Sequence, residues 1–237
     1  MSSVPVEGIP QHAELEALPP QEILRWAAQT FGPGLVMTSA FGLNGVALIH
    51  MLHDLGLHVP VIFVDTGYHF DETVRTKERI EAAFGIQVLT YRSPESTSVP
   101  ICQIGPHLSK DWHALCCEMR KIKPMQQALA DLRPAAILNA RARFQADSRH
   151  DLPVVEWYQR PVRVNPLALW APHQIKDYVW VHGVPQNPLH DQGYPSVGCW
   201  PCTQPVADGE DIRAGRWSNL DKTECGLWTR SLAAHRP

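Results

Sequence analysis

Residues 35–67, LVMTSAFGLNGVALIHMLHDLGLHVPVIFVDTG, decide the fold. They contain two short apolar runs, 35–38 and 60–64, and turn residues bound each run, which is typical of buried strands. Apolar side chains at helical spacing occupy the stretch between them, from Val46 to Leu52. The order strand, helix, strand predicts a parallel βαβ unit.

The same alternation continues on both sides of this stretch. Upstream, residues 21–30 predict a short helix with one apolar side. Downstream, Asp71 and Glu72 place negative charge at the start of an amphipathic helix that runs to about Phe84. Residues 88–91 then predict a third strand. The sequence therefore predicts an α/β fold in which flanking helices cover a parallel sheet.

The later part of the chain extends this sheet and then loses regular structure. Residues 116–132 predict a helix that kinks or restarts at Pro124, and residues 136–138 and 162–164 predict further strands. The C-terminal part is rich in Gly, Pro and Trp and predicts an irregular segment. Three segments follow: a loose N-terminal leader (1–20), an α/β domain (21–205) and a C-terminal tail (206–237).

Composition excludes several classes of protein. The chain has 237 residues, of which 44% are hydrophobic and 19% charged, and this excludes a wholly disordered chain. Lys and Arg number 21 against 24 for Asp and Glu, so neither a nucleic acid nor a membrane surface is expected as a partner. Residues 1–17 contain no Lys or Arg, which argues against a secretory signal or a transit peptide. We expect a cytoplasmic protein.

Two loops follow the first two predicted strands and could bind a nucleotide. Ser39, Gly42 and Gly45 lie in the first loop, and Asp65-Thr66-Gly67 ends the second strand at the same edge of the sheet. Backbone N–H groups at such an edge favour a phosphate, and the second loop could bind a ribose or a base. The first loop matches neither the Walker A motif nor the dinucleotide fingerprint, so two ordinary turns are the alternative.

The cysteines are grouped. Cys116 and Cys117 are adjacent, and two residues separate Cys199 from Cys202. Four thiolates in two close pairs suit a [4Fe–4S] cluster or a structural zinc ion, and buried cysteines without a ligand are a third interpretation. Zinc pairs usually have two to four intervening residues, so the adjacent pair favours the cluster. Cys102 has no partner at such a spacing and is interpreted as structural.

A further thiol and a set of cations complete the candidates. Cys225 lies in a polar stretch near the C-terminus, where it is either a nucleophile or an incidental surface thiol. Basic residues gather beside the cysteines of an acidic protein, which indicates that the protein handles an anion. Arg149 also fits a solvated basic face. The basic residues are Arg120, Lys121, Arg141, Arg143, Arg149, Arg213 and Arg216.

Four motifs resemble one known family, the assimilatory sulfonucleotide reductases, and within it the iron–sulfur branch, adenosine 5′-phosphosulfate (APS) reductase. The motifs are CCEMRK (116–121), GYPSVGCWPCT (193–203), GEDIRAGRW (209–217) and KTECGL (222–227). The resemblance runs from about residue 35 to residue 228. It implies an adenine nucleotide α-hydrolase-like fold.

The resemblance assigns roles to individual residues. It implies that Cys225 is the nucleophile and that Arg143 lies near the nucleotide. The implied [4Fe–4S] ligands are Cys116, Cys117, Cys199 and Cys202. The implied phosphosulfate contacts are Lys121, Arg213 and Arg216. The implied nucleotide contacts are Ser39, Phe41, Gly42, Asp65, Thr66 and Gly67.

The resemblance also implies a reaction in sulfate assimilation, which leads to cysteine. The Cys225 thiolate would attack the sulfo group, AMP would leave, and a reductant of the thioredoxin or glutaredoxin type would release sulfite from the resulting S-sulfocysteine. Because Cys225 must reach both substrate and reductant, we predict a tail that closes over the site. Formation of a homo-oligomer is left open.

Two positions depart from the family pattern, and two other functions stay open. Trp228 stands where the family has His, and Asn139-Ala140 stand where it has Thr-Gly. The first change removes a cationic group beside the nucleophile. The second makes the backbone approach the nucleotide less closely. The alternatives are a reductase of 3′-phosphoadenosine 5′-phosphosulfate (PAPS) and a non-catalytic nucleotide-binding protein with a metal or redox site.

Overall fold

A mostly parallel sheet forms the centre of the structure, a computed structural model that describes residues 12–94 and 110–217 together with Leu227. Its strands in chain order are β1 (Leu35–Thr38), β2 (Val61–Val64), β3 (Val88–Tyr91), β4 (Ala136–Asn139), β5 (Val155–Glu156) and β6 (Val162–Val164). Their order across the sheet is β3-β2-β1-β4-β6-β5. The pairings along this order are parallel except that of β5 with β6, which is antiparallel.

Helices cover both faces of this sheet. They are α1 (His12–Glu16), α2 (Pro20–Phe31), α3 (Leu43–Asp54), α4 (Asp71–Phe84), α5 (Lys110–Cys117), α6 (Lys123–Leu132) and α7 (Pro172–Val181). A π-helical segment, Glu118–Ile122, joins α5 to α6. Short 3₁₀ turns occupy Gly32–Gly34, Arg143–Gln145, Asp147–Arg149, Pro188–Gln192 and Trp200–Cys202. In the described residues, none of the helices is both long and apolar enough to cross a lipid bilayer.

Successive side chains of the strands pack on opposite faces of the sheet. Leu35 and Met37 of β1 belong to the larger core, to which α2, α3 and α7 contribute. Val36, between them, points the other way and belongs to a smaller core together with Met125 of α6. Because both faces are covered, β2 is apolar along its whole length and β1 and β4 are apolar up to their last residue, and this continuous apolar character is the signal that the sequence carries.

The topology places a crevice at one edge of the sheet. β2 follows β1 in the chain and lies on one side of it, whereas β4 lies on the other side. Connections therefore diverge between β1 and β4, and the carboxyl ends of these strands, Thr38 and Asn139, pair in register. Ligands of open α/β sheets bind at such a switch point.

The predicted fold class is confirmed, and the structure adds elements that the sequence pattern did not show. The predicted strands and the helix from Asp71 to Phe84 are present. The α-helix also restarts near Pro124, as expected, because α6 has this proline in its first turn. Neither α7 nor the antiparallel strand β5 was predicted. Part of the predicted leader is structured: α1 lies within it, and Leu15 is fully buried in the larger core.

Candidate active site

A cavity of about 300 Å³ opens at the carboxyl ends of β1, β2 and β4. Loops from distant parts of the chain form its walls, so it lies where the topology predicts a ligand site. Of the predicted substrate residues, Ser39, Gly42, Thr66, Lys121, Arg213 and Arg216 line it.

The loop after β1 presents the start of α3 to the cavity. Gly42 precedes the first turn of α3, and Gly42 and Gly45 both line the cavity. Ser39 Oγ accepts a hydrogen bond from the N–H of Phe41 at 2.9 Å. A Cβ on Gly45 would lie 2.6 Å from that oxygen, so only glycine fits beside Ser39. Phe41 does not line the cavity: its ring is fully buried against Phe63.

Of the three predicted residues in the loop after β2, one lines the cavity and two do not. Thr66 lines the cavity, whereas Asp65 and Gly67 are not among the lining residues. Asp65 accepts a hydrogen bond from the N–H of Gly67 at 2.8 Å and pairs with Arg92. The carboxylate therefore shapes the turn that directs Thr66 inward. Arg120 Nη1 donates to the Thr66 carbonyl at 2.8 Å and stabilises the same turn.

The fold brings one cysteine of each pair to His113. Its Nε2 lies 3.2 Å from Cys202 Sγ, and its Nδ1 lies 3.9 Å from Cys117 Sγ. Cys117 and His113 are four residues apart on α5, a spacing that places them on one helix face. This spacing was the sequence signal for His113, which sequence reasoning missed. Cys116, Cys117, Cys199 and Cys202 are all thiols rather than disulfides.

The Cys199–Cys202 turn is attached to the loop after β2. Cys199 Sγ lies 3.4 Å from Thr66 Oγ1, and the Trp200 N–H donates to the Tyr68 carbonyl at 2.8 Å. Cys199 is buried and also lines the cavity. The cysteine group and the cavity consequently share a wall.

Burial is the main influence on the pKa of one of these thiols, that of Cys202. It raises the pKa of the Cys202 thiol to about 11, and the nearby Cys199 and Cys117 act in the same direction while Lys121 opposes them. In the described part of the chain, no three His, Cys, Asp or Glu side chains are arranged as ligands of a single metal ion.

Basic side chains from two separate segments reach the cavity. Lys121 comes from the π-helical segment, and Arg213 and Arg216 come from the loop that follows the second cysteine pair. That loop is held in place by an antiparallel bridge between Thr203 and Arg216. The Trp217 N–H donates to the Cys202 carbonyl at 3.2 Å, which ties the loop directly to the cysteine turn.

The Arg216 guanidinium packs closely against the backbone. It lies over the Trp217 ring at 4.5 Å, and its Nη1 donates to Ser196 Oγ at 3.2 Å. A Cβ on Gly198 would lie 2.2 Å from Arg216 Nη2, so the glycine leaves the space that the guanidinium fills.

Of the three arginines that follow β4, two line the cavity and one is held away from it by other partners. Arg143 does not line the cavity, because its guanidinium donates to Glu16 at 2.6 Å and to the Leu152 carbonyl at 2.9 Å. Arg141 and Arg149 line the cavity instead. Arg141 is oriented by the buried carboxylate of Glu156, with which it forms a salt bridge. For Arg149, sequence reasoning had also allowed a solvated basic face.

Four further polar residues lie in the cavity wall, and of these sequence reasoning had placed only Asn139 near the nucleotide. Each has a buried polar atom with no hydrogen-bond partner among the described residues: Asn44 Nδ2, His69 Nδ1, Asn139 Nδ2 and His190 Nε2. Such atoms carry no sequence signal, because their exposure depends on how the loops pack. Burial is the main cause that lowers the pKa of His69 and of His190, so both rings favour the neutral form. Cys102, Cys225 and Trp228 lie outside the described residues.

Comparison with known proteins identifies the family. Residues 34–205 match the model of the phosphoadenosine phosphosulfate reductase domain. The chain belongs to this family. The resemblance drawn from the four motifs is thereby confirmed.

Individual relatives cover nearly the whole chain. An adenosine 5′-phosphosulfate reductase of Deinococcus radiodurans is 43% identical over 92% of this chain and 88% of its own length. One from Streptomyces coelicolor is 41% identical over 90% of both chains. Among solved structures, the phosphoadenylyl-sulfate reductase of Candida auris in its phosphate complex has a TM-score of 0.70 and 32% identity, over 86% of this chain and all of that one.

Proposed function

We propose that this chain reduces adenosine 5′-phosphosulfate to sulfite and AMP in assimilatory sulfate reduction. The observation that carries the proposal is that one cavity joins the N-terminus of α3, five cationic side chains and a wall of the cysteine group. A sulfonucleotide needs these parts together, because a nucleoside, a phosphate and a sulfo group must be held in one orientation. Relatives named for this activity at 41–43% identity support the same reaction.

We propose that Cys116, Cys117, Cys199 and Cys202 hold a [4Fe–4S] cluster. Thiolates on one tetrahedral zinc ion lie about 3.8 Å apart around that ion. A cluster spreads its ligands around a larger core. One cysteine of each pair, Cys117 and Cys202, lies beside a different nitrogen of the same His113 ring, which supports one shared site for the two pairs. When bound, the cluster would supply an iron-centred charge beside the anion-binding side chains.

The protein residues act mainly through electrostatics. Lys121, Arg213 and Arg216 neutralise the phosphosulfate, and the backbone N–H groups at the start of α3 add to this field. As the bond between the sulfo sulfur and the bridging oxygen breaks, the departing phosphate of AMP gains negative charge. Cations placed beforehand stabilise that charge without reorganisation.

The reaction requires two sulfur-centred displacements. The Cys225 thiolate attacks the sulfo sulfur, an S–S bond forms, and AMP leaves with the bridging oxygen. A dithiol reductant of the thioredoxin or glutaredoxin type then attacks Cys225 Sγ, and sulfite leaves with the bonding electron pair of the S-sulfocysteine. The second thiol of the reductant resolves the mixed disulfide, so the reductant loses two electrons and the sulfur of the substrate gains them. A reaction that consumes a dithiol is expected in the reducing cytoplasm.

The C-terminal segment reaches the cavity at one described residue. Leu227 lines the cavity and packs against the smaller core. Cys225 precedes it by only two residues in the sequence. This supports the assignment of Cys225 as the nucleophile and of the tail (206–237) as the segment that delivers it.

Two other functions are separated by direct measurement. The Candida auris relative is named for the phosphorylated nucleotide, PAPS, whereas retention of all four cysteines favours APS as the substrate of this chain. Sulfite release measured side by side with both nucleotides decides between them. The non-catalytic alternative predicts binding of AMP without sulfite release.

Intact-mass analysis of the iron-replete protein tests the proposal. After mixing with APS and no reductant, we expect a gain equal to one SO₃ unit, and we expect Cys225→Ser to lose this adduct and sulfite release while still binding AMP. A wild-type protein that binds AMP but never gains the adduct contradicts the proposed reaction. Retained sulfite release by Cys225→Ser contradicts the assignment of the nucleophile.

A further inference from the structure

Asn139, the last residue of β4, presents a buried amide to the cavity. The residue is 1% exposed and lines the cavity. Thr38 Oγ1 donates a hydrogen bond to Asn139 Oδ1 at 2.9 Å, which turns the amide so that its carbonyl faces β1. The Nδ2 group has no hydrogen-bond partner among the described residues. A ligand that supplies an acceptor to such a buried donor forms a hydrogen bond that stabilises the complex.

The surroundings of this amide indicate which part of a ligand it meets. Thr38 and Asn139 lie on the same sheet face as Val36 and Ile137, which belong to the smaller core. Four apolar residues from that region also line the cavity: Ile62, Val64, Met125 and Leu227. An apolar wall with one oriented donor suits a flat heteroaromatic ring, whereas the cations Lys121, Arg213 and Arg216 suit the anionic part of the same ligand.

We propose that Asn139 is a specificity-determining residue that donates a hydrogen bond from Nδ2 to a ring nitrogen of the adenine base. Adenine offers acceptor nitrogens at N1, N3 and N7, and a neutral amide donor matches any of them. Because Thr38 donates to Oδ1 and holds the carbonyl toward β1, the amide presents its Nδ2 donor to the base. The inference rests on the proposed function, since it takes an adenine nucleotide as the occupant of the cavity.

The chain offers a matched control in Asn187. This residue is also 1% exposed, but its amide is satisfied within the protein. Its Nδ2 donates to Thr73 Oγ1 at 2.9 Å, and its Oδ1 accepts from the Leu189 N–H at 3.0 Å. Asn187→Ala therefore measures the cost of losing a buried amide that faces no ligand.

Calorimetric titration with AMP and its 1-deaza, 3-deaza and 7-deaza analogues tests the proposal. Wild-type protein is expected to bind one analogue about three- to tenfold more weakly than AMP, the loss typical of one neutral hydrogen bond. Asn139→Ala is expected to bind AMP weaker by the same factor and to bind that analogue no worse than AMP. Asn187→Ala is expected to keep the wild-type affinity for AMP.

Several results would overturn the inference. They are equal affinity of wild-type protein for AMP and all three analogues, a loss that couples to 2′-deoxy-AMP instead, and an equal loss of affinity in Asn187→Ala. If Asn139→Ala does not fold, Asn139→Thr replaces it. The titrations of wild-type protein with the analogues need no variant and test the inference in either case. Wild-type protein that binds no AMP contradicts the proposed function, whereas AMP binding that is insensitive to Asn139 contradicts this inference only.

Discussion

Replacing Gly198 by alanine should disable the site through the guanidinium that packs on it. The added Cβ would lie 2.2 Å from Arg216 Nη2, 2.5 Å from Cζ and 3.0 Å from Nη1, whereas ordinary contacts begin at 3.4 Å. The methyl group is fixed to the backbone, so the guanidinium has to retreat by about 1 Å or more, the amount by which these contacts are too short. Arg216 then leaves both Ser196 and the cavity wall.

The size of the effect follows from what Arg216 does for the ligand. A hydrogen bond from a charged donor contributes about 1.5–3 kcal/mol, and a 1 Å misplacement of a positioned group can cost about 100-fold in rate. We therefore expect Gly198→Ala to lower kcat/KM for sulfite release by about 10- to 100-fold. The fold should persist, because the change adds one methyl group beside a side chain that can move.

A double-mutant cycle with Arg216→Ala provides the decisive assay. If Gly198→Ala acts by displacing Arg216, it should add almost nothing once the guanidinium is gone, so the two effects on kcat/KM should not sum. Thermal unfolding of each variant shows whether the fold is retained. Additive effects, or a Gly198→Ala protein with wild-type kcat/KM, would refute the reasoning.

Two further predictions concern stability. Glu156→Gln should lower the free energy of unfolding by about 3–5 kcal/mol, since the buried Arg163 and the partly buried Arg141 lose their shared carboxylate; a melting temperature within about 2 °C of wild type would contradict this. Burial, and next the charge of His182, lower the pKa of His50 below 6.5, so the unfolded state takes up the proton first and stability should decline as the pH falls below about 6.5. Melting curves between pH 7.5 and 5 should show a shallower decline for His50→Gln, and an identical decline would exclude this group as a cause.

The strands of the sheet could be predicted from apolar runs, and the cysteine group could be predicted from the spacing of the cysteines. β1 and β2 are continuous apolar segments because helices cover both faces of the sheet, so their sequence signal is strong. The pairs Cys116-Cys117 and Cys199–Cys202 could be recognised by spacing, although only the fold shows that His113 stands between them.

The orientation of loop side chains could not be predicted in the same way. Asp65 and Arg143 are polar residues in loops beside the cavity, yet Arg92 and Glu16 draw them away from it. Their partners are 27 and 127 residues away in the chain, and no local pattern encodes such pairs. The buried donor of Asn139 could not be predicted from the sequence either, because its lack of a partner depends on how the sheet edge packs.

The contact between Thr66 and Cys199 affects more than these two residues. They lie 3.4 Å apart at the boundary between the anion pocket and the sulfur group, so a change of charge on one side acts on the other through protein rather than through bulk water. If the sulfurs hold the proposed cluster, reciprocity of linked equilibria requires that the factor by which the cluster alters nucleotide affinity equals the factor by which the nucleotide alters cluster binding. We therefore expect occupancy of the pocket and the ligation state of the sulfurs to depend on each other.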